Sequence, residues 1–531
     1  MRYLQKSCVL FSVVIIAGIV LRLPRLQQRP MHADEAVHAV KFGKLLEENF
    51  YQYNFREYHG PTLNYLTLIP AWLGGIDKFE DLSEFTLRIV PVFFGVLLIL
   101  MPLLLIDGLG RSTTLIAAGL TATSPAFVFY SRYYIHEMLL VFFAFGVITC
   151  CYRYTRSRNI RWVLLTGIFV GLCQATKETC IIAFGSMLLA LLLTLIMQHK
   201  EMGGISNLKK AIMPSHLIAA IVIAVIVSAI LYSSFLTNTG GIWDSLRAYT
   251  VYFGRASENQ LHIHPWYYYL KTLIYFRLAG GPAWSEAVIV ALAVVGFIFA
   301  MLRKPLLTAD FGLLRFIAFY TAIMTVSYSV IPYKTPWCML GFLHGMILLA
   351  AIGAAAMIKL ASSVPARALI SLLLVAAVFH LAWQSYLANY KFYADPCNPY
   401  VYAHTGSDVF KITERIEDIA RIHPEGHKMY IEVICPDGDY WPLPWYLRRF
   451  PNVGWWNKVD ENAPAAPVII ASPSAEPALI KKLYELPLPG KINLYVPLFE
   501  SYVELRPQVE LRGYIVKDLW DHFQRQMIGE K

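Results

Sequence analysis

Eleven apolar runs, each near the roughly 17–25 residues needed to cross a hydrocarbon core, dominate this chain. They cover approximately residues 8–23, 86–106, 112–131, 137–153, 161–176, 179–197, 213–235, 283–302, 314–332, 337–358 and 366–386. Inside a bilayer every backbone N–H and C=O must be satisfied within the segment, so such runs fold as helices. The chain is read as a polytopic α-helical membrane protein with about eleven transmembrane helices. Composition agrees, since 57% of the 531 residues are hydrophobic and only 15% charged, against roughly 25% charged in soluble domains. A soluble enzyme is excluded. Arg22-Leu23-Pro24-Arg25 follows the first run in place of a small-residue cleavage site, so that run is expected to remain as an anchor.

Lys and Arg outnumber Asp and Glu by 46 to 36. In a soluble protein the surplus would suggest nucleic acid; here its placement makes it an orientation signal. With the N-terminus in the cytoplasm, the cytoplasmic segments hold fifteen basic residues, including Lys209, Lys210, Arg303 and Lys304, against Asp107, Glu201 and Asp310. The short loops on the other side carry just Arg132, Lys177 and Lys334. Basic residues concentrate on the cytoplasmic side of membrane proteins, so an odd number of spans puts the C-terminus outside, as expected for a protein of the plasma membrane. No nucleic-acid partner is implied.

Two domains are expected: 1–386, a membrane domain with long external loops at 24–85 and 236–282, and 387–531, an extracytoplasmic domain. The latter has 16 basic and 19 acidic residues. Its β-type runs (Met429–Cys435, Val468–Ala471, Lys491–Val496, Val509–Val516) alternate with helical stretches near 407–421, 475–485 and 517–526, the pattern of a small α/β domain. Strand order is not readable. Of eight cysteines, Cys397 and Cys435 fall in this tail, where a disulfide can persist; a bridge and two solitary buried thiols are both open.

The first external loop carries the densest chemistry. Met31-His-Ala-Asp-Glu-Ala-Val-His38 opens an amphipathic helix reaching about residue 48, expected at the membrane surface. Tyr58-His59-Gly60-Pro61 is a turn that launches a second helix, Thr62–Leu73. Asp34 and Glu35 stand at the start of the first helix, where acids complement the macrodipole. A carboxylate at an interface can instead serve as a base. His32, Asp34, Glu35 and His38 could also collect a divalent metal, Glu35 and His38 being one turn apart, although no tetrahedral set follows from this spacing. No cofactor is otherwise called for.

Each short external turn holds one cation: Arg132 in Tyr130-Ser-Arg-Tyr-Tyr-Ile-His-Glu137, Lys177 in Ala175-Thr-Lys-Glu-Thr179, Lys334 in Pro332-Tyr-Lys-Thr-Pro336. They read either as snorkelling anchors or as grips for an anionic lipid headgroup. The loop 236–282 is rich in Trp, Tyr and His, including His262 and His264; an interfacial aromatic belt and a sugar-stacking surface both fit. Trp441, Trp445, Arg448 and Arg449 in the tail carry the same ambiguity.

An Asp-Glu pair after the first run, a His-Gly-Pro turn about 25 residues on, Arg88 at the second run and Arg132 after the third resemble the superfamily of protein O-mannosyltransferases and aminoarabinose transferases. The similarity is greatest to its prokaryotic branch of flippase-activity-associated proteins. The motifs lie within residues 1–200. The chain departs from the mannosyltransferases in having Gly60-Pro61 where they commonly carry Pro-Pro. The resemblance implies a GT-C-like bundle, with interfacial helices in the first external loop, and inverting transfer of a sugar from a polyprenyl-phosphate donor, undecaprenyl or dolichyl, to a glycan, lipid or protein acceptor. It implies Asp34 as the base with Glu35 beside it. It further implies Arg88, Arg132, Lys177 and Lys334 on the lipid phosphate, and His59, Gly60 and Pro61 positioning substrate. A phosphate leaving group needs cations more than a proton donor, so one base suffices. The alternative is a non-catalytic accessory protein for flipping or assembly of lipid-linked glycans. A secondary transporter, which would need paired repeats and mid-membrane charges, fits less well, His344 being the only clearly mid-span titratable group.

Overall fold

The computed structural model describes residues 2–56, 59–202, 213–258, 262–278, 280–302, 309–487 and 492–529. Tyr58, Lys209, Lys210, Arg303, Lys304 and Lys491, used above, lie outside the described residues. Among the described residues seven helices are long and apolar enough to cross a membrane: Glu84–Leu109, Glu137–Ser157, Cys180–His199, Pro214–Tyr232, Phe311–Val330, Pro336–Leu360 and Val364–Lys391. An eighth is formed if Arg111–Thr123 and Pro125–Ser131, bent by 59°, count as one broken span. The break falls where Pro125 removes a backbone donor and pushes Ser124 out of the helical region, to φ −57° and ψ 122°.

The chain is thus a multi-pass helical membrane protein, with seven or eight spans of full length among the described residues. Of the three remaining runs, the first lies in the 21-residue helix Arg2–Arg22, and the other two form the shorter apolar helices Ile160–Gln174 and Ala287–Leu302. The 15 residues of Ile160–Gln174 rise only roughly 23 Å, against about 30 Å of hydrocarbon.

The described chain divides into two compact units. The first (1–26, 48–75 and 85–402) holds the spanning helices. Burial sorts them: Pro336–Leu360 and Glu137–Ser157 are 89% and 83% buried over their apolar windows, whereas Pro214–Tyr232 and Val364–Lys391 are 11% and 6% buried. The exposed pair present their apolar faces outward, as lipid-facing helices do. Ala287–Leu302 packs closely on Leu340–Leu360 because Gly296 and Gly353 lack side chains; a Cβ on Gly353 would lie 2.3 Å from the Leu292 carbonyl oxygen. Small residues allow such backbone approach between membrane helices.

The second unit joins 27–47 and 76–84, both from the first external loop, to 403–531. Its sheet has strands β1 (Ile431–Ile434), β2 (Val453–Trp456), β3 (Val468–Ala471), β4 (Tyr495–Pro497), β5 (Val503–Arg506) and β6 (Val509–Val516). The order is β2-β1-β3-β6-β4, with β5 also on β6. β1 runs parallel to β2 and β3, and β6 antiparallel to β3, β4 and β5. β1 and β3 are buried at every position, as expected of strands covered on both faces. Glu432 in β1 tolerates this by pairing with Lys482 at 2.9 Å. Val409, Ile412, Ile416 and Ile419 bury one face of the helix Asp408–Ile422 at helical spacing.

The loop pieces are held within this unit by specific contacts. The Met31 amide donates to the Tyr446 hydroxyl at 2.8 Å, and the Thr405 hydroxyl donates to the Met31 carbonyl at 2.7 Å. Trp445 donates to Glu84 at 2.9 Å, and Arg448, stacked over the Trp445 ring, donates to the Leu82 carbonyl at 2.8 Å.

Candidate active site

In the second unit the acids occupy the first turn of α2 (Ala33–Glu48). The His32 carbonyl accepts the Ala36 amide at 3.0 Å, closing the first helical turn, and His32 Nδ1 accepts the Asp34 amide at 3.0 Å. His32 thus acts as the cap. Glu35, three residues on, returns the favour: its Oε2 accepts the His32 amide at 3.1 Å, the reciprocal half of a capping box. Glu35 is fully buried, with Arg29 3.6 Å away.

Asp34 points the other way. Its side chain is 50% exposed, its Oδ2 lying 3.8 Å from His32 Nδ1. The adjacent acids therefore differ in kind, Glu35 engaged in holding the turn and Asp34 presented to its surroundings. His38 is buried on the same helix. Among the described residues no group of three or more His, Cys, Asp or Glu is arranged to hold a metal.

In the first unit the His59-Gly60-Pro61 turn is stitched to the turn carrying Lys177. The Gly60 amide donates to the Thr176 carbonyl and the Thr62 amide to the Ala175 carbonyl, each at 3.1 Å. Only glycine fits at 60, since a Cβ there would sit 2.1 Å from the Ala175 carbonyl oxygen. His136 Nε2 lies 3.1 Å from the Gly60 carbonyl oxygen. His59 Nδ1 is 2.9 Å from Glu178 Oε2, and the Tyr53 hydroxyl donates to Glu178 Oε1 at 3.1 Å. Burial works against the charge on Glu178, yet the His59 imidazole and its hydrogen bond hold the carboxyl below the usual range. Lys177 forms a buried ion pair with Glu137.

Lys177 and Glu137 also line a small cavity of about 40 Å³. The rest of its wall is mostly apolar, with Leu140, Phe145, Ile148, Met324 and Leu348 beside Tyr320, Trp337, Cys338 and His344. These come from the helices Glu137–Ser157, Phe311–Val330 and Leu340–Leu360 and the segment leading into the last. A buried charge pair set in an apolar wall suits an amphiphile with a charged head and a hydrocarbon tail.

The other cations are deployed differently. Arg88, buried in the helix Glu84–Leu100, donates to the Leu26 carbonyl at 2.6 Å. Arg132 donates to the carbonyls of Arg22 and Pro24, both at 2.7 Å, and of Arg25 at 3.1 Å. Together they grip the chain leaving α1 (Arg2–Arg22), where unpaired helix-end carbonyls favour cations. Lys334 donates through Nζ to the carbonyls of His264, at 3.1 Å, and Ile331. Near it, His262 Nδ1 and His264 Nε2 both meet the Tyr402 hydroxyl, at 2.7 and 3.0 Å. Burial, His262 and Lys334 hold His264 below the usual imidazole range. Cys397 and Cys435 are both free thiols.

The structure thus brings His59, Gly60 and Pro61 together with Lys177, and Arg88 together with Arg132. Glu178, Glu137, His136, Tyr53 and Tyr402 had been given no role. Lys177-Glu178 as a charged pair in a short turn was the available signal; its partner His59 lies 119 positions away. Glu286 was also missed, falling inside an expected span. It is fully buried, accepting from the Ser124 hydroxyl at 2.5 Å, the Ala126 amide at 3.0 Å and the Tyr400 hydroxyl at 2.8 Å, and so it ties the broken helix at Ser124.

The profile of a family described as dolichyl-phosphate-mannose-protein mannosyltransferase matches residues 64–241, a minority of the chain. ArnT from Cupriavidus metallidurans in the apo state has a similar fold, with a TM-score of 0.63 at 13% identity over 98% of this chain and 99% of that one. ArnT bound to undecaprenyl phosphate gives 0.63 at 12% identity over 96% and 98%. The archaeal oligosaccharyltransferase AglB from Archaeoglobus fulgidus, in complex with an inhibitory peptide and a dolichol-phosphate, gives 0.57 at 12% identity over 88% of this chain and 69% of that one. No curated protein sequence matches. These likenesses show a GT-C glycosyltransferase fold.

Proposed function

We propose that this protein is a membrane glycosyltransferase that moves a sugar from a polyprenyl-phosphate donor to an acceptor on the extracytoplasmic face. The observation that carries this reading is the apolar cavity with Lys177 and Glu137 in its wall, in a chain whose fold is shared by proteins solved with undecaprenyl phosphate and with dolichol-phosphate. Lys177 would meet the phosphate as a point charge, with the prenyl chain running outward along the apolar wall. Positive-inside charge placement supports a cytoplasmic N-terminus and an extracytoplasmic C-terminal unit.

In the proposed reaction Asp34 takes the proton of the acceptor hydroxyl. The acceptor oxygen attacks the anomeric carbon from the face opposite the phosphate, and the carbon–oxygen bond to the phosphate breaks. The lipid phosphate leaves with the bonding pair, and the configuration at the sugar inverts. Exposure of Asp34 supports this assignment, while the capping bond and Arg29 contact of Glu35 support a supporting role for that acid. Arg88 and Arg132 direct several donors to the carbonyls of residues 22–26, which favours fixing the chain that leads to Asp34 over gripping phosphate. The test is acceptor-dependent release of lipid phosphate by the purified protein from a panel of polyprenyl-phosphate sugars. Release with none of them, together with a defect in lipid-linked glycan flipping when the gene is deleted, would favour the accessory role.

A further inference from the structure

The helix Arg111–Thr123 starts without a side-chain cap. Its N-cap is Gly110, held at φ 82° and ψ 156°, a region open in practice to glycine alone. A Cβ built there would meet nothing within 4 Å. The Thr114 amide donates to the Gly110 carbonyl, which leaves the amides of residues 111–113 as the orphan donors of a helix start. Among the described residues none of the three has a partner. Residues 109–113 line one side of a cavity of about 320 Å³, and Ala355, Ile358 and Lys359 of Leu340–Leu360 line the other. Arg111 and Lys359 are exposed, and among the described residues neither forms an ion pair or a hydrogen bond. The acids close by in the chain and the fold are engaged elsewhere: Asp107 pairs with Arg153 at 2.5 Å, and Asp310 caps its own helix at Gly312 and Leu313. Thr113 lines the same cavity and is 3% exposed, and its hydroxyl also has no partner among the described residues. A buried hydroxyl is costly unless it is hydrogen-bonded, so this cavity calls for a polar occupant.

Snorkelling alone explains a single cation at the end of a span. It does not explain two cations from separate helices on one cavity that also holds a helix start and a buried hydroxyl. Donors of several kinds with no acid among them are what an anion requires. Leu109 and Ile358 add apolar surface to the wall, and the cavity sits where membrane helices end, at the depth of lipid headgroups. Charge placement assigns this end to the cytoplasm. It is separate from the Lys177 cavity, which meets Leu340–Leu360 from Gly341 to Leu348, short of Ala355. We propose that this cavity binds the phosphate of an anionic phospholipid of the cytoplasmic leaflet. Arg111 supplies a fork of donors and Lys359 a point charge, with the Thr113 hydroxyl and the amides of residues 111–113 completing the site. The inference is independent of the glycosyltransferase reading, and no bond is made or broken.

The test is native mass spectrometry of the full chain in detergent, titrated with phosphatidylglycerol and with phosphatidylcholine of the same acyl chains. For the tightest-bound lipid, the preference for phosphatidylglycerol should fall roughly tenfold in Arg111→Gln/Lys359→Gln, the scale of a hydrogen bond to a charged group. Thr113→Val keeps the shape of the buried side chain and should lower the preference about threefold, the scale of a neutral hydrogen bond. Arg156→Gln/Arg161→Gln removes as much charge from the same expected side, at residues outside the cavity wall, and should leave the preference unchanged. An equal loss in that control would assign the preference to the general attraction between basic residues and an anionic leaflet, and would overturn the inference. An undiminished preference in Arg111→Gln/Lys359→Gln overturns it as well; both side chains are exposed, so that variant should fold, with its Tm in lipid-free detergent unmoved. Competition by glycerol phosphate as strong as that by the whole lipid would mark a free-phosphate site and overturn the lipid assignment.

Discussion

The Met31 amide donates to the Tyr446 hydroxyl at 2.8 Å, across 415 positions of sequence. With the Thr405 hydroxyl on the Met31 carbonyl, this bond holds the segment just before Asp34 against the C-terminal α/β region within one unit. Tyr446→Phe should therefore loosen the start of α2 by about 1 kcal/mol, the net worth of one such bond, accelerating exchange of the Met31 amide about fivefold. Hydrogen exchange read by mass spectrometry over residues 27–36 checks this. Unchanged exchange there would mean that the bond does not restrain the segment.

Lys177 and Glu137 form a pair in which each side chain is less than a tenth exposed. Removing one partner leaves a buried uncompensated charge, so Glu137→Gln and Lys177→Met should each cost about 3–5 kcal/mol. The double change Lys177→Met/Glu137→Leu should restore most of that stability, because an apolar pair fits an apolar wall. It should not restore preference for undecaprenyl phosphate over undecaprenol. Thermal unfolding in detergent and lipid binding, measured side by side, separate the two effects; a double variant that keeps the phosphate preference removes Lys177 from the proposed head-group site.

Gly60→Ala places a Cβ 2.1 Å from the Ala175 carbonyl oxygen, where backbone must move. The expected cost is about 1–3 kcal/mol, seen as a lower Tm. An unaltered Tm would show that the two turns can separate freely.

Local signals in the sequence led directly to local structure. The expected helix from the Asp-Glu pair to about residue 48 is Ala33–Glu48, and Thr62–Leu73 is found as expected. The runs Val468–Ala471 and Val509–Val516 are strands with those bounds. β2 was missed because Val453–Trp456 has no buried face, and β5 because Val503–Arg506, although it alternates buried and less buried positions, is only four residues long. The break at Ser124-Pro125 had a visible cause in the proline, yet hydropathy alone ran the two half-helices into a single span.

What the sequence could not disclose was long-range pairing. Nothing local says that Glu178 faces His59, that Glu286 ties Ser124 to Tyr400, or that residues 27–47 and 76–84 join the C-terminal sheet in one unit. The cations show the same limit. Arg88, Arg132, Lys177 and Lys334 are alike as charges at span ends, and only their partners separate a lysine in a cavity wall from arginines holding helix-end carbonyls.

The most direct measurement is acceptor-dependent release of lipid phosphate from polyprenyl-phosphate sugars by the purified protein and by its Asp34→Asn variant. The account predicts turnover by the unaltered chain and a loss on the order of 10²–10⁴-fold in the variant, the usual contribution of a general base, with expression, Tm and undecaprenyl phosphate binding unchanged. Undiminished turnover by Asp34→Asn would contradict the assignment of Asp34 as the base.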